Sequence, residues 1–242
     1  MKGSGKTVPR PGYATDYQFA LRSDRILLIL AFLLVAGLIL GFGLLADEVI
    51  EGDTAGFDRA VLVALRSADG TSPVGPAWLQ EMGRDVTALG SLVFLAFVSV
   101  ATVGYLLMIR KRSYALLVTI SVIGGELIST ALKIAFDRSR PDIPSTVRVF
   151  TASFPSGHAM LSAVTFLTLG ALLARTQKDT RLKAYFVAIA VFLTVVVGLS
   201  RLYLGVPYPS DVLAGWCVGS AWAVSCWSVA FWLERDRKTV VE

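Results

Sequence analysis

Histidine, cysteine and charge are all scarce in this chain of 242 residues. His158 is the single histidine, so any chemistry that needs two imidazoles is excluded. The two cysteines, Cys217 and Cys226, fall in one late apolar run. Nine residues at about 100° each put them on opposite faces of a helix, about 13 Å apart along its axis, beyond the reach of a disulfide. They read as packing residues and say nothing about redox compartment. Charged residues make up 17% of the chain, against roughly 25% in soluble domains, and 55% of residues are hydrophobic. That balance excludes an ordinary soluble domain. No internal repeat or low-complexity tract is visible, and the length leaves no room for a second domain.

What the chain has instead is long apolar stretches separated by short basic clusters. About 20 apolar residues are enough to cross the hydrocarbon core of a bilayer as a helix. Six runs qualify: 26–45, 89–108, 114–136, 158–174, 184–202 and 211–233. The expected fold class is therefore all-α, a polytopic membrane protein with six transmembrane helices in one bundle over residues 26–233. The first run is longer than the apolar core of a signal peptide (about 7–15 residues), and Ala46-Asp47-Glu48 is a poor cleavage site, so it is expected to remain as an anchor. Residues 1–25 form a basic, polar tail with Gly3, Gly5, Pro9, Pro11 and Gly12, expected to be flexible, and 234–242 a short second tail. Residues 46–88 form an acidic loop carrying Asp47, Glu48, Glu51, Asp53 and Asp58. Within it, Phe57, Ala60, Val61, Ala64 and Leu65 recur at the spacing of one helix face. The spacing predicts a short helix lying on the membrane surface or, in the plainer alternative, packed on the protein.

Basic residues set the orientation. Lys2, Lys6, Arg10, Arg22 and Arg25, then Arg110, Lys111 and Arg112, then Arg175, Lys178, Arg181 and Lys183, then Arg235, Arg237 and Lys238 all fall on one side of a six-span chain. Both termini are expected in the cytoplasm, with the loops after spans one, three and five facing outward from a bacterial-type inner membrane.

The informative polar residues gather on that outward side. Lys133 lies near the end of span three, with Arg138, Arg140-Pro141 and Arg148 beyond it. Pro155-Ser156-Gly157-His158 opens span four, Ser200-Arg201 closes span five, and Pro209-Ser210-Asp211 opens span six. Proline suits the first position of a helix, where its missing N–H costs nothing. The spacing then predicts that the N–H groups of Ser156, Gly157 and His158 face outward unpaired. With the helix dipole they make an anion site, which Gly157 lets a ligand approach closely. Lys133, Arg140 and Arg201 surround it with donors matched to phosphate oxygens. Charges at bilayer depth are expensive unless paired or used, so three converging cations point to a bound polyanion. Each residue alone has a plainer reading: Lys133, Arg138 and Arg148 snorkelling to headgroups, His158 a satisfied surface residue, Asp211 a helix cap. Their coincidence on one membrane face outweighs these readings. Glu126, seven residues before Lys133, shares its helix face and reads as a hydrogen-bonded packing residue or, alternatively, as an acid near the site. Trp216, Trp222, Trp227 and Trp232 read as packing and interface residues.

These residues resemble the motifs of the type 2 phosphatidic acid phosphatase superfamily, integral membrane lipid phosphatases, over about residues 85–233. Lys133 to Arg140-Pro141 matches its first motif, Pro155 to His158 its second, and Ser200-Arg201 with Asp211 its third. The resemblance implies that Lys133, Arg140, Ser156, Gly157 and Arg201 hold the phosphate. It implies that His158 protonates the departing alkoxide (or phosphate, from a diphosphate) and that Asp211 orients a nucleophilic histidine. The substrate implied is a lipid phosphate or diphosphate in the bilayer; no metal, cofactor or nucleic-acid partner is implied. The departure is at position 207, where the family's nucleophilic histidine stands and this chain has Pro207. Proline has no ring nitrogen able to attack phosphorus. The expectation is a lipid phosphatase-type protein with impaired turnover. The alternative is a membrane protein that binds a lipid phosphate without cleaving it. A transporter ranks below both, because repeated halves and helices broken near the midplane are not visible.

Overall fold

The computed structural model describes residues 13–141 and 151–239, with side chains from Arg25 to Leu233. Among the described residues eight helices run in order: α1 (Tyr13–Glu51), α2 (Ala55–Ala64), α3 (Ala77–Ala88), α4 (Leu92–Met108), α5 (Arg112–Phe136), α6 (Gly157–Thr176), α7 (Thr180–Tyr203) and α8 (Pro209–Thr239). Among the described residues there is no strand beyond one isolated bridge, Arg66 to Pro73. Five helices are long and apolar enough to cross a membrane. Helices α3 and α4 pass the same test together, bent by 46° at the break between them, and complete six spans when taken as one. The protein is an all-α, multi-pass membrane protein.

The boundaries differ from expectation where polar ends extend a helix. Helix α1 begins at Tyr13, inside the stretch read as a flexible tail, and continues to Glu51 past the predicted end of the first span. Helix α8 runs on to Thr239 into the second tail. The acidic loop holds two helices, where the spacing predicts one. Its first, α2, faces the protein with Asp58 and Leu62, whereas Phe57, Ala60 and Ala64 of the predicted apolar face are exposed.

Helix α6 is the centre of the bundle: it packs on α5, α7 and α8, and most of its residues are buried. Helix α1, by contrast, presents Ile29, Leu30, Phe32, Leu33 and Leu40 outward, as a lipid-facing helix should. Contact between α6 and α8 depends on Gly215 and Gly219, spaced four apart on one face of α8. A Cβ at Gly215 would stand 2.7 Å from the carbonyl oxygen of Ser156, and one at Gly219 only 2.4 Å from that of Met160. Small residues at this spacing let two membrane helices approach backbone to backbone. Two tryptophans lock α8 to its other neighbours: Trp216 Nε1 donates to the Thr194 carbonyl on α7 (3.1 Å), and Trp222 Nε1 to the Ser121 carbonyl on α5 (2.8 Å). Both cysteines are free and half-buried.

One end of the bundle gathers the chain's polar side chains. There α5 and α7 end while α6 and α8 begin. An aromatic cluster of Phe42, Phe136 and Phe154 fastens α1 to this end, with ring centroids 4.7–6.2 Å apart. Helix α5 stops at Asp137, a left-handed residue (φ 39°) that turns the chain sideways. Helix α7 stops two residues after Arg201, and Gly205 (φ 70°) supplies the left-handed step that commonly closes a helix.

Candidate active site

The short links after α5, before α6 and between α7 and α8 meet over the helix ends. Lys133, Arg140, Ser156, Gly157, His158, Arg201 and Pro207 all line one cavity of about 120 Å3, together with Thr151 and Ser153. Three motifs separated by as much as 68 residues of sequence are thus brought to one place, as their spacing predicts.

Lys133 and Arg140 are positioned by backbone oxygens rather than by acids. Lys133 Nζ donates to the Ala152 carbonyl (3.0 Å). Arg140 donates from Nε to the Thr151 carbonyl (2.8 Å) and from Nη1 to the Val206 carbonyl (3.1 Å), tying the approach to α6 onto the α7–α8 turn. Burial lowers the Arg140 pKa from its ordinary value, with Asp211 pulling the other way. Arg201 is 4% exposed, and its Nε is buried with no hydrogen-bond partner. Among the described residues no acidic one lines the cavity. Among the described residues, Lys133, Arg140 and Arg201 form no ion pair within 4 Å. The cavity therefore has a positive wall that, among the described residues, no acid contacts directly, Asp211 acting on Arg140 only from behind it.

The mouth of α6 differs in detail from the expectation. Pro155 is not the first helical residue. It precedes the N-cap, Ser156, and follows a cis peptide bond from Phe154. The Ser156 N–H is not free: it donates to the Asp211 backbone carbonyl (2.9 Å), joining the starts of α6 and α8. The first intrahelical bond runs from Met160 N–H to the Ser156 carbonyl. The N–H groups left over by the helix itself are those of Gly157, His158 and Ala159. The anion-binding end of α6 is thus shifted by one residue from the one read in the sequence.

Asp211 does not line the cavity. It is fully buried behind it, and its carboxylate is taken up on all sides. Oδ1 accepts from Arg138 Nη1 (2.6 Å); Oδ2 accepts from Ser153 Oγ and from the Tyr208 N–H (2.7 Å). The last contact is half of a capping box, in which the third residue of a helix reaches back to the cap. It also holds the backbone beside Pro207. The plainer reading of Asp211 as a helix cap is thus met, and the cap fixes the position that the resemblance assigns to the nucleophile.

The sequence reading missed the group that holds this cap. Arg138 does not snorkel. Its Nη1 donates to Ser210 Oγ (2.8 Å) and Asp211, and its Nη2 to Asp58 Oδ2 (2.8 Å) and Thr54 Oγ1 (3.3 Å). Its guanidinium stacks over the Tyr208 ring at 4.3 Å. Burial works against its charge, but Asp211 and Asp58 outweigh that and hold its pKa above the ordinary value. Asp58, fully buried on α2, also accepts from Ser210 N–H (2.9 Å) and Ser210 Oγ (2.6 Å), so it caps α8 from another helix. A signal was present in the sequence: Asp58 and Leu62 are four apart, the spacing of one helix face, but only apolar positions were counted. Arg148 lies outside the described residues.

Comparison with known proteins gives the chain relatives in sequence and in fold. Phosphatidylglycerophosphatase B of Bacillus subtilis (strain 168) is 33% identical over 143 residues, covering 59% of this chain and 70% of that protein. Lipid A 1-phosphatase of Rhizobium etli is 31% identical over 176 residues, covering 61% and 72%. The crystal structure of a transmembrane PAP2 type phosphatidylglycerolphosphate phosphatase from Bacillus subtilis superposes with a TM-score of 0.72 at 28% identity, covering 81% of this chain and 94% of that one. Residues 114–235, which hold every cavity-lining residue named above, match the PAP2 superfamily, and the chain belongs to that family.

Proposed function

We propose that this protein binds the phosphate of a lipid phosphate or diphosphate in the cavity at the end of the bundle, in a lipid phosphatase site whose turnover is impaired by Pro207. The observation that carries this reading is the uncompensated charge. Arg201 is buried without an acidic partner, and Lys133 and Arg140 share its cavity. A buried charge left unpaired is strongly destabilising, so buried Arg201, with two half-buried cations beside it at a helix N-terminus, calls for an anionic ligand. Family membership supplies the class of anion: the relatives named above are phosphatases of membrane lipids.

In this reading Lys133, Arg140 and Arg201 cradle the phosphate oxygens, with the N–H groups at the mouth of α6. His158, half-buried at the cavity wall, donates a proton to the departing oxygen. A histidine at position 207 would attack phosphorus and carry the phosphoryl group until water removes it. Pro207 lines the cavity at that position and cannot form the bond. No step needs a metal, so phosphate release by Pro207→His should persist in a chelator. The basic residues at the opposite helix ends support a reading with both termini in the cytoplasm of a bacterial-type inner membrane and the cavity at the outer surface.

The test is phosphate release from phosphatidic acid, phosphatidylglycerol phosphate and a polyprenyl diphosphate, by this chain and by Pro207→His. Activity gained by the substituted protein alone supports an intact site lacking its nucleophile. Activity already present in the unsubstituted chain overturns the assignment of position 207. A second reading, a binding protein without turnover, is favoured by one observation: Pro207 sits in the cavity wall while His158 is the only imidazole. Tight lipid-phosphate binding with no release from either protein would select it.

A further inference from the structure

Beside the phosphate cavity lies a larger one of about 470 Å3, and Lys133, Thr151, Gly157 and His158 belong to the walls of both. Its floor on α5 carries Glu126, Ser129 and Thr130, and its other walls include Leu92, Ile134 and Leu161. Glu126 precedes Lys133 by seven residues, about 10 Å of helix, so it lies deeper in the membrane than the cations. A carboxyl group at that depth is costly without a partner. The protein provides little. Lys133 turns its ammonium to the Ala152 carbonyl instead. Among the described residues Glu126 forms no ion pair, and its contact from Thr130 Oγ1 is 3.5 Å, at the outer limit of a hydrogen bond. Its remaining acceptor capacity is open to the cavity.

We infer that this second chamber takes a hydroxylated segment of the lipid headgroup, and that Glu126 accepts a hydrogen bond from a hydroxyl near the phosphate ester. The inference rests on the phosphate reading above and adds what lies next to the phosphate. With phosphorus held by Lys133, Arg140 and Arg201, the ester oxygen faces His158, at the junction of the two chambers. The carbons attached to it pass into the larger one. A plain alkyl or prenyl chain there would satisfy Leu92, Ile134 and Leu161 but leave Glu126 without a donor. A polyol or sugar phosphate satisfies both, and a carboxyl group accepts from an alcohol whether or not it is ionised. Glu126 is thus a specificity residue, selecting polyol phosphates over simple alkyl phosphates.

The test is a matched pair of lipids binding to the full chain in detergent micelles, where Pro207 keeps cleavage from confusing the measurement. One lipid carries its terminal phosphate on a glycerol headgroup; the other is the same molecule with the headgroup hydroxyl removed. The unsubstituted chain should bind the hydroxylated lipid about tenfold more tightly, the worth of one hydrogen bond to a charged group. Glu126→Leu should erase that preference while leaving affinity for the deoxy lipid unchanged, and Glu126→Gln, which keeps an acceptor, should retain most of it. Equal affinity for the two lipids in the unsubstituted chain, or a preference that survives Glu126→Leu, overturns the inference. Arg201→Ala should weaken both lipids alike. If it weakens neither, the phosphate reading itself fails, whatever Glu126 does.

Discussion

Arg138 and Arg201 enter the same end of the bundle from neighbouring elements, but one is met by acid and the other is not. Arg138 bridges two fully buried carboxylates, Asp58 and Asp211, at 2.8 and 2.6 Å. Around it every strong donor and acceptor has a partner, and the cluster pins α2, the α5–α6 link and α8 together. Arg201, with Lys133 and Arg140, faces a cavity whose walls contain no acid among the described residues. The first arrangement does its work in folding, because its charges are already satisfied. The second has no acid in contact with it among the described residues, which is what the proposed phosphate ligand would supply. Proximity to the site is therefore a poor guide to role; whether the charge is already compensated is a better one.

The largest effect bears on what the cationic half was built to do. Loss of a covalent nucleophile costs about 10⁴–10⁶ in rate, so Pro207→His should raise lipid phosphate hydrolysis by a factor of that order, measured as phosphate release under single-turnover conditions. Arg201→Ala in the same protein should remove most of the gain, whereas a failure to do so would detach the cations from the chemistry.

Next in size is the effect of cutting Arg138. Arg138→Ala leaves Asp58 and Asp211 buried without a cation, and breaking a buried pair in this way costs about 3–5 kcal/mol. Thermal unfolding in detergent should show a large loss of stability, and the tie between α2 and α8 should open to protease. Arg201→Ala should do the opposite: stability unchanged or raised, because it removes repulsion from Lys133 and Arg140. Its affinity for inorganic phosphate should fall by roughly 10- to 100-fold, the range for hydrogen bonds to a charged group. Equal destabilisation by the two substitutions would erase the distinction between the clusters.

That distinction was only half visible in the sequence. The cationic half was legible because its members are marked by fixed spacings: Lys133 to Arg140-Pro141, Pro155 to His158, and Arg201 to Asp211. The spans were legible from hydropathy, as was the existence of α2. The compensated half was not legible, since its partners are Arg138 and Asp58, 80 residues apart, and neither belongs to a motif. Counting apolar positions made Phe57, Ala60 and Ala64 the apolar face of α2, expected on the membrane surface or, in the plainer alternative, against the protein. The protein turns that helix so that an acid faces inward, where Arg138 and the N–H and hydroxyl of Ser210 at the start of α8 satisfy Asp58. Pro155 was misplaced for a related reason: the rule for proline at a helix start is local, whereas the Ser156 N–H is claimed by Asp211 from a distant helix.

The smallest expected effect sharpens the comparison within the compensated cluster. Two carboxylates share one guanidinium there, so the cluster carries excess negative charge, set against the positive end of the α8 dipole. Asp58→Asn removes one charge and leaves Arg138 paired with Asp211 alone. The amide oxygen can still accept the Ser210 N–H, and the Ser210 hydroxyl can reverse to accept from the new NH2. Only the contact from Arg138 Nη2 is left facing a donor. The cost should be near the lower end of the range for an unsatisfied buried group, about 1 kcal/mol, and clearly below that of Arg138→Ala. Thermal unfolding of the two variants side by side checks the order. If Asp58→Asn proved as damaging as Arg138→Ala, the second carboxylate would be indispensable to the cap on α8, and the cluster could not be described as an arginine holding two acids of unequal weight.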